Sequence, residues 1–220
     1  MDKIRISDAK VGDKIQFGSI NEIPLVWLIG ELNHEGYPSD TVNIVTEGTI
    51  GNMAFAPGNP IDKIKERRLY GSNVYRDSYV RHRLNSDDFI TAVFTKEEVA
   101  AIVETPLDTL LPDIDGGGVS PCIDRLFLFS ASEVGLTEDD GEGSIIELFK
   151  DPRNRCAKDI EGDHDWWFLR SAIVSVSYNV RLVSYNGTAS NLNAYSGSWG
   201  VRPACNLKSD YLVSVLGGAK

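Results

Sequence analysis

One stretch of the chain, residues 166–204, reads WWFLRSAIVSVSYNVRLVSYNGTASNLNAYSGSWGVRPA and holds the clearest structural pattern. Its first five residues are apolar except for the last, which predicts a buried strand over 166–170. Neighbouring residues of a strand face opposite sides, so one ring of the Trp166–Trp167 pair is expected in the core and the other in support of a site. The closing block predicts a final strand over 199–207, with a bend or an edge at Pro203.

Between the two apolar blocks lies a polar segment with the composition of a binding surface. From Ser171 to Trp199 it holds four Asn, seven Ser and three Tyr, with one Arg and no acidic residue. Tyrosine offers a large, stiff contact area, and Ser, Asn and Gly offer adaptable hydrogen bonding, as in antibody binding loops. Inside the segment, Asn186-Gly187 predicts a displayed hairpin with a type I′ turn between strands at 180–185 and 188–192.

The same segment lacks a particular set of residue types. Residues 171–198 contain no Lys, Glu, Gln, Met or Trp. These are the amino acids that no codon ending in a pyrimidine can encode. The pattern is what AAC and AAT codons randomised at adenine would leave behind, and it indicates that the segment has been diversified.

The overall composition limits the possible classes of protein. The 220 residues suit a single domain, 1–220, since a chain of this length buries roughly 70% of its unfolded surface. The net charge of −10 repels phosphate backbones, so nucleic acid is not an expected partner. No apolar run approaches the about 20 residues that cross a bilayer, so membrane insertion is not expected either. The opening MDKIRISDAK shows no secretory signal.

The part of the chain before residue 166 is predicted to begin with strands and to continue with helices. Ser72 is expected to cap one helix, and a capping box at Thr95–Glu98 opens another over 96–103. Period-two patterns and turn residues predict the early strands at 3–6, 14–18, 25–30 and 42–46. Later segments are predicted as a buried strand at 125–129, an acidic surface loop at 137–143 and a helix at 144–149.

These residues resemble a known family. The frame Trp166–Ser171, followed by a polar region and then Gly200–Ala204, is similar to the C-terminal part of the variable proteins of diversity-generating retroelements. The upstream blocks 11–18, 26–27, 78–85 and 125–133 look like a related uncharacterised domain family common in phage and gut-bacterial proteins. The resemblance covers most of the chain and implies an α+β, C-type lectin-like fold with short strands, two or more helices and a C-terminal variable hairpin with loops.

The resemblance also implies a function, namely non-enzymatic ligand binding by a hypervariable surface over 171–199. In such systems a reverse transcriptase copies a template with errors at adenine, and the copy replaces the end of the gene. The implied variable positions are Ile173, Val176, Tyr178, Leu182, Ser184, Tyr185, Ser190, Leu192, Asn193 and Tyr195. Those at 178, 182, 184, 185, 192, 193 and 195 are expected to expose their side chains on one patch. The implied scaffold positions are Trp166, Trp167, Arg170, Gly200, Arg202 and Pro203.

The partners implied are a protein or glycan receptor on a cell surface, and other virion or surface proteins. The resemblance places such a protein on a phage tail or a bacterial cell surface. No cofactor is expected.

Other chemistries are less well supported by residue spacing. Asp163-His164-Asp165 resembles a metal cluster only in residue type, because one short polar loop rarely completes a first coordination shell. The acids at 113, 115 and 139–142 lack the spacing of a helix-loop-helix calcium site. No metal ligand or catalytic residue is therefore expected.

Two alternative functions remain open at the level of sequence. One is an oxidase related to the formylglycine-generating enzymes, which need a close pair of cysteines, whereas Cys205 stands alone here. The three cysteines are widely spaced without a CxxC, so neither a zinc site nor a disulfide framework is indicated. The other alternative is a structural virion module in which the polar segment is simply a solvated surface.

Overall fold

The described chain, residues 3–138 and 141–216 of a computed structural model, is built mainly from β-strands. Its strands are β1 (Ile4–Arg5), β2 (Lys14–Ile20), β3 (Ile23–Leu32), β4 (Thr41–Thr46), β5 (Ile102–Val103), β6 (Thr105–Leu110), β7 (Val119–Asp124), β8 (Ala157–Lys158), β9 (His164–Asp165), β10 (Trp167–Ala172), β11 (Asn179–Val183), β12 (Ala189–Asn193), β13 (Ala204–Lys208), β14 (Leu212–Val213) and β15 (Val215–Leu216). Its α-helices are α1 (Lys65–Tyr70), α2 (Tyr79–Leu84), α3 (Asp87–Val93) and α4 (Lys96–Ala101).

The largest sheet has six antiparallel strands in the order β15-β2-β3-β4-β13-β5. The early strands predicted from the sequence are confirmed as β1 to β4, with β2 and β3 longer than predicted. Every residue of β4 is buried, which indicates that both faces of the sheet are covered at this strand. Beside it lies β13, whose buried Asn206 accepts a hydrogen bond from the Asn43 amide (3.1 Å) and donates one to the Thr105 hydroxyl (2.8 Å).

This architecture contradicts the α+β, C-type lectin-like fold that the resemblance implies. The described residues form the six-stranded sheet, one three-stranded sheet and three two-stranded sheets, whereas each α-helix is only six or seven residues long. Helical patterns in the sequence are cut short by strand pairing. The helix predicted over 96–103 ends at Ala101, because Ile102 and Val103 pair with β13 instead. Pairing with a distant strand has overridden the local helix propensity of these two residues. The fold is mainly β.

Local capping was predicted more accurately than helix length. The capping box is confirmed, since the Thr95 hydroxyl accepts from the Glu98 backbone N–H (3.2 Å) and the Glu98 carboxylate accepts from the Thr95 N–H (2.8 Å). The other Glu98 oxygen accepts from the Gly18 N–H (2.9 Å) and so ties α4 to β2. The prediction that Ser72 caps a helix is wrong, because α2 begins after Ser78, whose hydroxyl accepts from the Arg81 N–H.

A second sheet, β10-β11-β12, carries the polar segment out of the core. All six residues of β10 are buried. As predicted, the two adjacent tryptophans differ: Trp167 is completely buried, while Trp166 is partly buried and packs against the core from outside. Trp167 stacks on Phe149 with ring centroids 6.4 Å apart, and Phe149 contacts Phe129 edge to face at 5.2 Å. The polar segment is therefore connected directly to a strand that is packed into an aromatic core.

The remaining local predictions have mixed outcomes. Residues 126–129 are buried as expected, but they are not a strand, since only Phe127 makes an isolated bridge, to Ala204. The helix predicted at 144–149 is a 3-10 turn at Glu147–Lys150. The strand predicted over 199–207 is β13, which begins directly after Pro203 and is followed by β14 and β15.

Two further points concern the surface. The predicted acidic loop at 137–143 includes residues 139 and 140, which lie outside the described residues. None of the helices in the described part of the chain has the length and apolarity needed to cross a bilayer.

Candidate functional site

The polar segment runs through a loop at 173–178, the β11–β12 hairpin and a second loop at 194–199. The predicted hairpin is confirmed, with Val183 opposite Ala189 at its closed end. The predicted type I′ turn is wrong. The Gly187 N–H donates to the Ser184 carbonyl (2.9 Å) and the Ser184 N–H donates to the Thr188 carbonyl (2.8 Å), which leaves a three-residue loop. In this loop only Gly187 has a positive φ (81°), as expected for a type I turn followed by a left-handed glycine.

The predicted variable positions fall into three classes of exposure. Tyr185 and Tyr195 are the most open, at 53% and 50% exposure. Six others are partly buried: Ile173, Val176, Tyr178, Ser190, Leu192 and Asn193. For Leu182 and Ser184 the predicted exposure is wrong, since they are 0% and 4% exposed.

Each of the two buried positions has a clear physical reason. Leu182 shares the inward face of β11 with Val180, which is also buried, because alternate residues of a strand point the same way. Ser184 turns its hydroxyl into the hairpin loop, where it donates to the Asn186 side-chain oxygen (2.6 Å) and contacts the Thr188 hydroxyl (2.8 Å). These two side chains stabilise the hairpin and are not available to a ligand.

The tyrosines of the segment join two separate groups of aromatic rings. Tyr185 packs against Trp166 with centroids 6.3 Å apart, and Trp166 packs against Trp199 at 5.4 Å. Tyr178 and Tyr195 both pack against Tyr70 of α1, at 5.5 and 6.0 Å. The expected single cluster is thus two groups, and in each of them a segment tyrosine rests on a ring from outside the segment.

The first loop of the segment is held by its main chain, and the central group in this contact is the side chain of Asn73. Asn73 is 1% exposed. Its amide nitrogen lies within hydrogen-bonding distance of the carbonyl oxygens of Ile173 (3.2 Å), Val176 (3.0 Å) and Asn179 (2.9 Å). Its backbone N–H donates to the carbonyl of Ser177 (3.0 Å).

A charged pair reinforces the same loop. Arg67 donates from Nε to the Ser177 carbonyl (3.2 Å) and pairs through both terminal nitrogens with the Asp115 carboxylate. Two residues before Asp115, the Asp113 N–H donates to the Val174 carbonyl (2.8 Å). None of these contacts uses a side chain of the loop. Replacing side chains in the loop would therefore leave the hydrogen bonds that hold it unchanged.

The second loop is anchored in the same way. The Ala56 N–H donates to the Ala194 carbonyl (3.0 Å), and the Tyr195 N–H donates to the Tyr70 carbonyl (2.9 Å). The chain can approach this closely because Gly71 has no side chain. A Cβ on Gly71 would lie 1.9 Å from the Ala56 carbonyl oxygen, and its φ of 76° also favours glycine.

The predicted scaffold residues flank the segment on both sides. Arg202 is buried, lies over the Trp167 ring at 5.1 Å and donates to the carbonyls of Thr46 and Asn154 (both 2.9 Å). Burial lowers the pKa of Arg202 to about 10. Gly200 pairs with the tryptophan strand, since its N–H donates to the Trp166 carbonyl (2.8 Å). These contacts lock the end of the segment against its beginning.

Arg170 is the most heavily bonded of the scaffold residues. It pairs with Glu133 through both terminal nitrogens, with Nη2 2.8 Å from the nearer Glu133 oxygen, and it also donates to the carbonyls of Asp108, Leu128 and Glu142. Burial alone would lower the pKa of Arg170, but the charge and hydrogen bonds of Glu133 outweigh it and raise that pKa. All the N–H groups of this guanidinium are used, so its role here is structural.

Three residues of this surface were not found by sequence reasoning: Arg67, Tyr70 and Asn73. A single sequence offers no pattern that marks them, because each acts on residues roughly one hundred positions later. In the described residues no group of three or more His, Cys, Asp or Glu side chains is placed to hold a metal ion, including those at 113–115 and 163–165.

The chain belongs to a family described as a domain of unknown function, DUF6273, whose model matches residues 40–209. The matched range includes the polar segment, both of its flanking blocks and the residues that hold its main chain. No curated protein and no solved structure matches the chain.

Proposed function

We propose that this chain is a non-enzymatic binding protein whose 171–199 segment recognises a protein or glycan receptor on a cell surface. We also propose that the side chains of this segment have been diversified by a retroelement. The observation that carries the binding proposal is the anchoring of the segment through its main chain by Arg67, Asn73 and the 56–71 region. A surface held in this way can change its side chains without losing its shape. The diversification proposal is supported by the absence of Lys, Glu, Gln, Met and Trp from 171–198.

The energetics of binding favour this arrangement. Ordering a flexible loop on binding costs affinity, and a loop that is already ordered avoids that cost. The half-exposed rings of Tyr185 and Tyr195 rest on other aromatic rings, which restricts their motion before any ligand arrives. Tyrosine is frequent among the residues that contribute most to binding energy. Such a protein would act on a phage tail or at a bacterial surface, alone or with other virion or surface proteins.

The two buried cysteines, Cys122 and Cys205, weigh against the oxidase alternative, which needs a close pair of cysteines, and they leave Cys156 as the one partly exposed thiol. Burial raises the pKa of Cys205 well above the usual value for a thiol, and burial raises the pKa of Cys122 to about 11. Both groups are therefore protonated thiols at neutral pH, whereas the reactive form of cysteine is the thiolate.

Binding can be tested with labelled protein on a panel of intact bacterial cells, read by flow cytometry. We expect at least one strain to be labelled, and we expect the double variant Tyr185→Ala, Tyr195→Ala to lose at least about tenfold in apparent affinity. The matched control is Leu212→Ala, which removes an equally exposed apolar side chain on β14. Equal binding by all three proteins would show that the segment is not the binding surface.

Diversification can be tested in the genome that carries the gene. We expect a nearby reverse transcriptase gene and a near-copy of the 3′ end of this gene. Mismatches between the two copies should fall opposite template adenines within codons 171–198, while the codons for 200–204 stay matched. Mismatches spread over all four template bases would rule out this mechanism and leave the binding proposal standing.

A further inference from the structure

A cleft of about 650 Å³ opens on the molecule outside the polar segment. Every residue that lines it lies between positions 56 and 115, so its chemistry is independent of the segment. Its walls include Arg67, Arg76, Asp77, Tyr79, His82 and Asp115. Its volume is within the range of about 300–1,000 Å³ that is typical of small-molecule sites.

The cleft is lined by two arginines and three aspartates, including Asp62, and four of these five charges are paired with one another. Arg67 is paired with Asp115, and the Arg76 Nε lies 3.2 Å from the Asp77 carboxylate. Arg76 is held in place by a further hydrogen bond from Nη1 to the hydroxyl of Ser120 (2.6 Å). The walls thus present several fixed donors and acceptors with little excess charge, which favours a neutral polar ligand over an anion or a cation.

The cleft also has a flat apolar surface. Tyr79 is 49% exposed at the start of α2, and His82 follows three residues later, also exposed. Residues three apart on a helix lie on the same side, and both of these line the cleft. An aromatic ring with one open face can pack against the C–H face of a sugar ring, while carboxylates and guanidinium groups bond to its hydroxyls.

We propose that this cleft binds a neutral saccharide, with Tyr79 as the stacking ring and the two ion pairs as hydrogen-bonding walls. A hydroxyl group both donates and accepts, so it suits a site that offers carboxylate acceptors beside guanidinium donors. This site is separate from the 171–199 surface, and it does not require that surface to be variable. The cleft and the 171–199 surface are adjacent, because the Arg67 side chain lines the cleft and also donates a hydrogen bond to the Ser177 carbonyl.

The test is an amide NMR titration of the full chain with single sugars: galactose, mannose, fucose and N-acetylglucosamine, each to about 10 mM, the range of weak binding. Sialic acid, inorganic phosphate and a short neutral peptide are the comparison ligands. We expect at least one neutral sugar to shift the amides of Tyr79 and His82, and Tyr79→Ala to weaken that binding by at least about tenfold. Tyr185→Ala should leave it unchanged.

Several results would overturn the inference. These are the absence of shifts with every neutral sugar, shifts confined to 171–199, or binding only of an anionic ligand or of the peptide. The spectrum of Tyr79→Ala away from the cleft reports whether the variant is folded, and His82→Ala, at an exposed helix position, provides a second variant. Sugar binding that survives both substitutions would equally contradict the assignment. Failure here would leave the cell-binding experiment with Tyr185 and Tyr195 unaffected.

Discussion

Replacing Asn73 tests whether the 171–199 segment depends on the hydrogen bonds that hold its main chain. Asn73→Ala removes a buried amide that lies within bonding distance of three carbonyl oxygens, at 2.9 to 3.2 Å. An amide nitrogen carries two hydrogens, so about two full hydrogen bonds are lost, each contributing roughly 0.5–1.5 kcal/mol. Carbonyls left unpaired away from water cost about 1–3 kcal/mol each, although some of them regain water at the surface. We expect a total loss of about 2–4 kcal/mol in the free energy of unfolding.

The assay combines urea unfolding, followed by tryptophan fluorescence, with hydrogen exchange of the 173–179 amides. Exchange there should accelerate, because the loop loses the group that joins its carbonyls. Asn73→Asp keeps the shape but replaces a donor by an acceptor, so it should destabilise more than Asn73→Ala. Asn52→Ala, at an exposed asparagine, is the control and should cost under about 0.5 kcal/mol. A loss below that value for Asn73→Ala, with unchanged exchange, would refute the anchoring role.

Three further experiments check other parts of the structure. Trp167→Ala should cost about 3–5 kcal/mol of unfolding free energy in urea, and Tyr185→Ala under about 1 kcal/mol, because the first ring is fully buried and the second is half exposed; equal losses would contradict this division. Iodoacetamide should alkylate the partly exposed Cys156 of the folded protein well before the buried Cys122. The raised pKa of Cys122 lowers its thiolate fraction about a hundredfold. Equal alkylation rates of the two cysteines in mass spectrometry would contradict this prediction. Gly71→Ala should cost more than about 2 kcal/mol, since its new Cβ meets a carbonyl oxygen at 1.9 Å; an unchanged melting temperature would show that the loop adapts.

The features that could be predicted from the sequence are those that depend on neighbours along the chain. The early strands, the capping box at Thr95 and the hairpin at Asn186-Gly187 all rest on patterns within a few residues. The different burial of Trp166 and Trp167 was also predicted, although Trp166 lies just before β10 and not within it. Strand alternation, applied to Val180 and Leu182, could have identified Leu182 as buried.

The features that could not be predicted depend on contacts between distant parts of the chain. Asn73 meets carbonyls of residues 173–179, and nothing local to Asn73 distinguishes it from a surface asparagine. The helix at 96–103 was overestimated because the partner that converts its end into a strand lies a hundred residues later, in β13. The expected fold was wrong for the same reason, since a resemblance carried by short separate blocks of sequence does not determine how the strands between them pair.

The place of β13 in the large sheet has a consequence for how the protein is made. This strand follows the polar segment in the chain, yet it lies between β4 and β5, both synthesised much earlier. The sheet therefore cannot close on the ribosome until residues 171–199 have already been translated. If the segment misfolded, β13 could not pair with β4 and β5. The strand edges that β13 normally covers would then stay exposed. If the segment is diversified as proposed, each new version must therefore allow β13 to pair before the protein can fold.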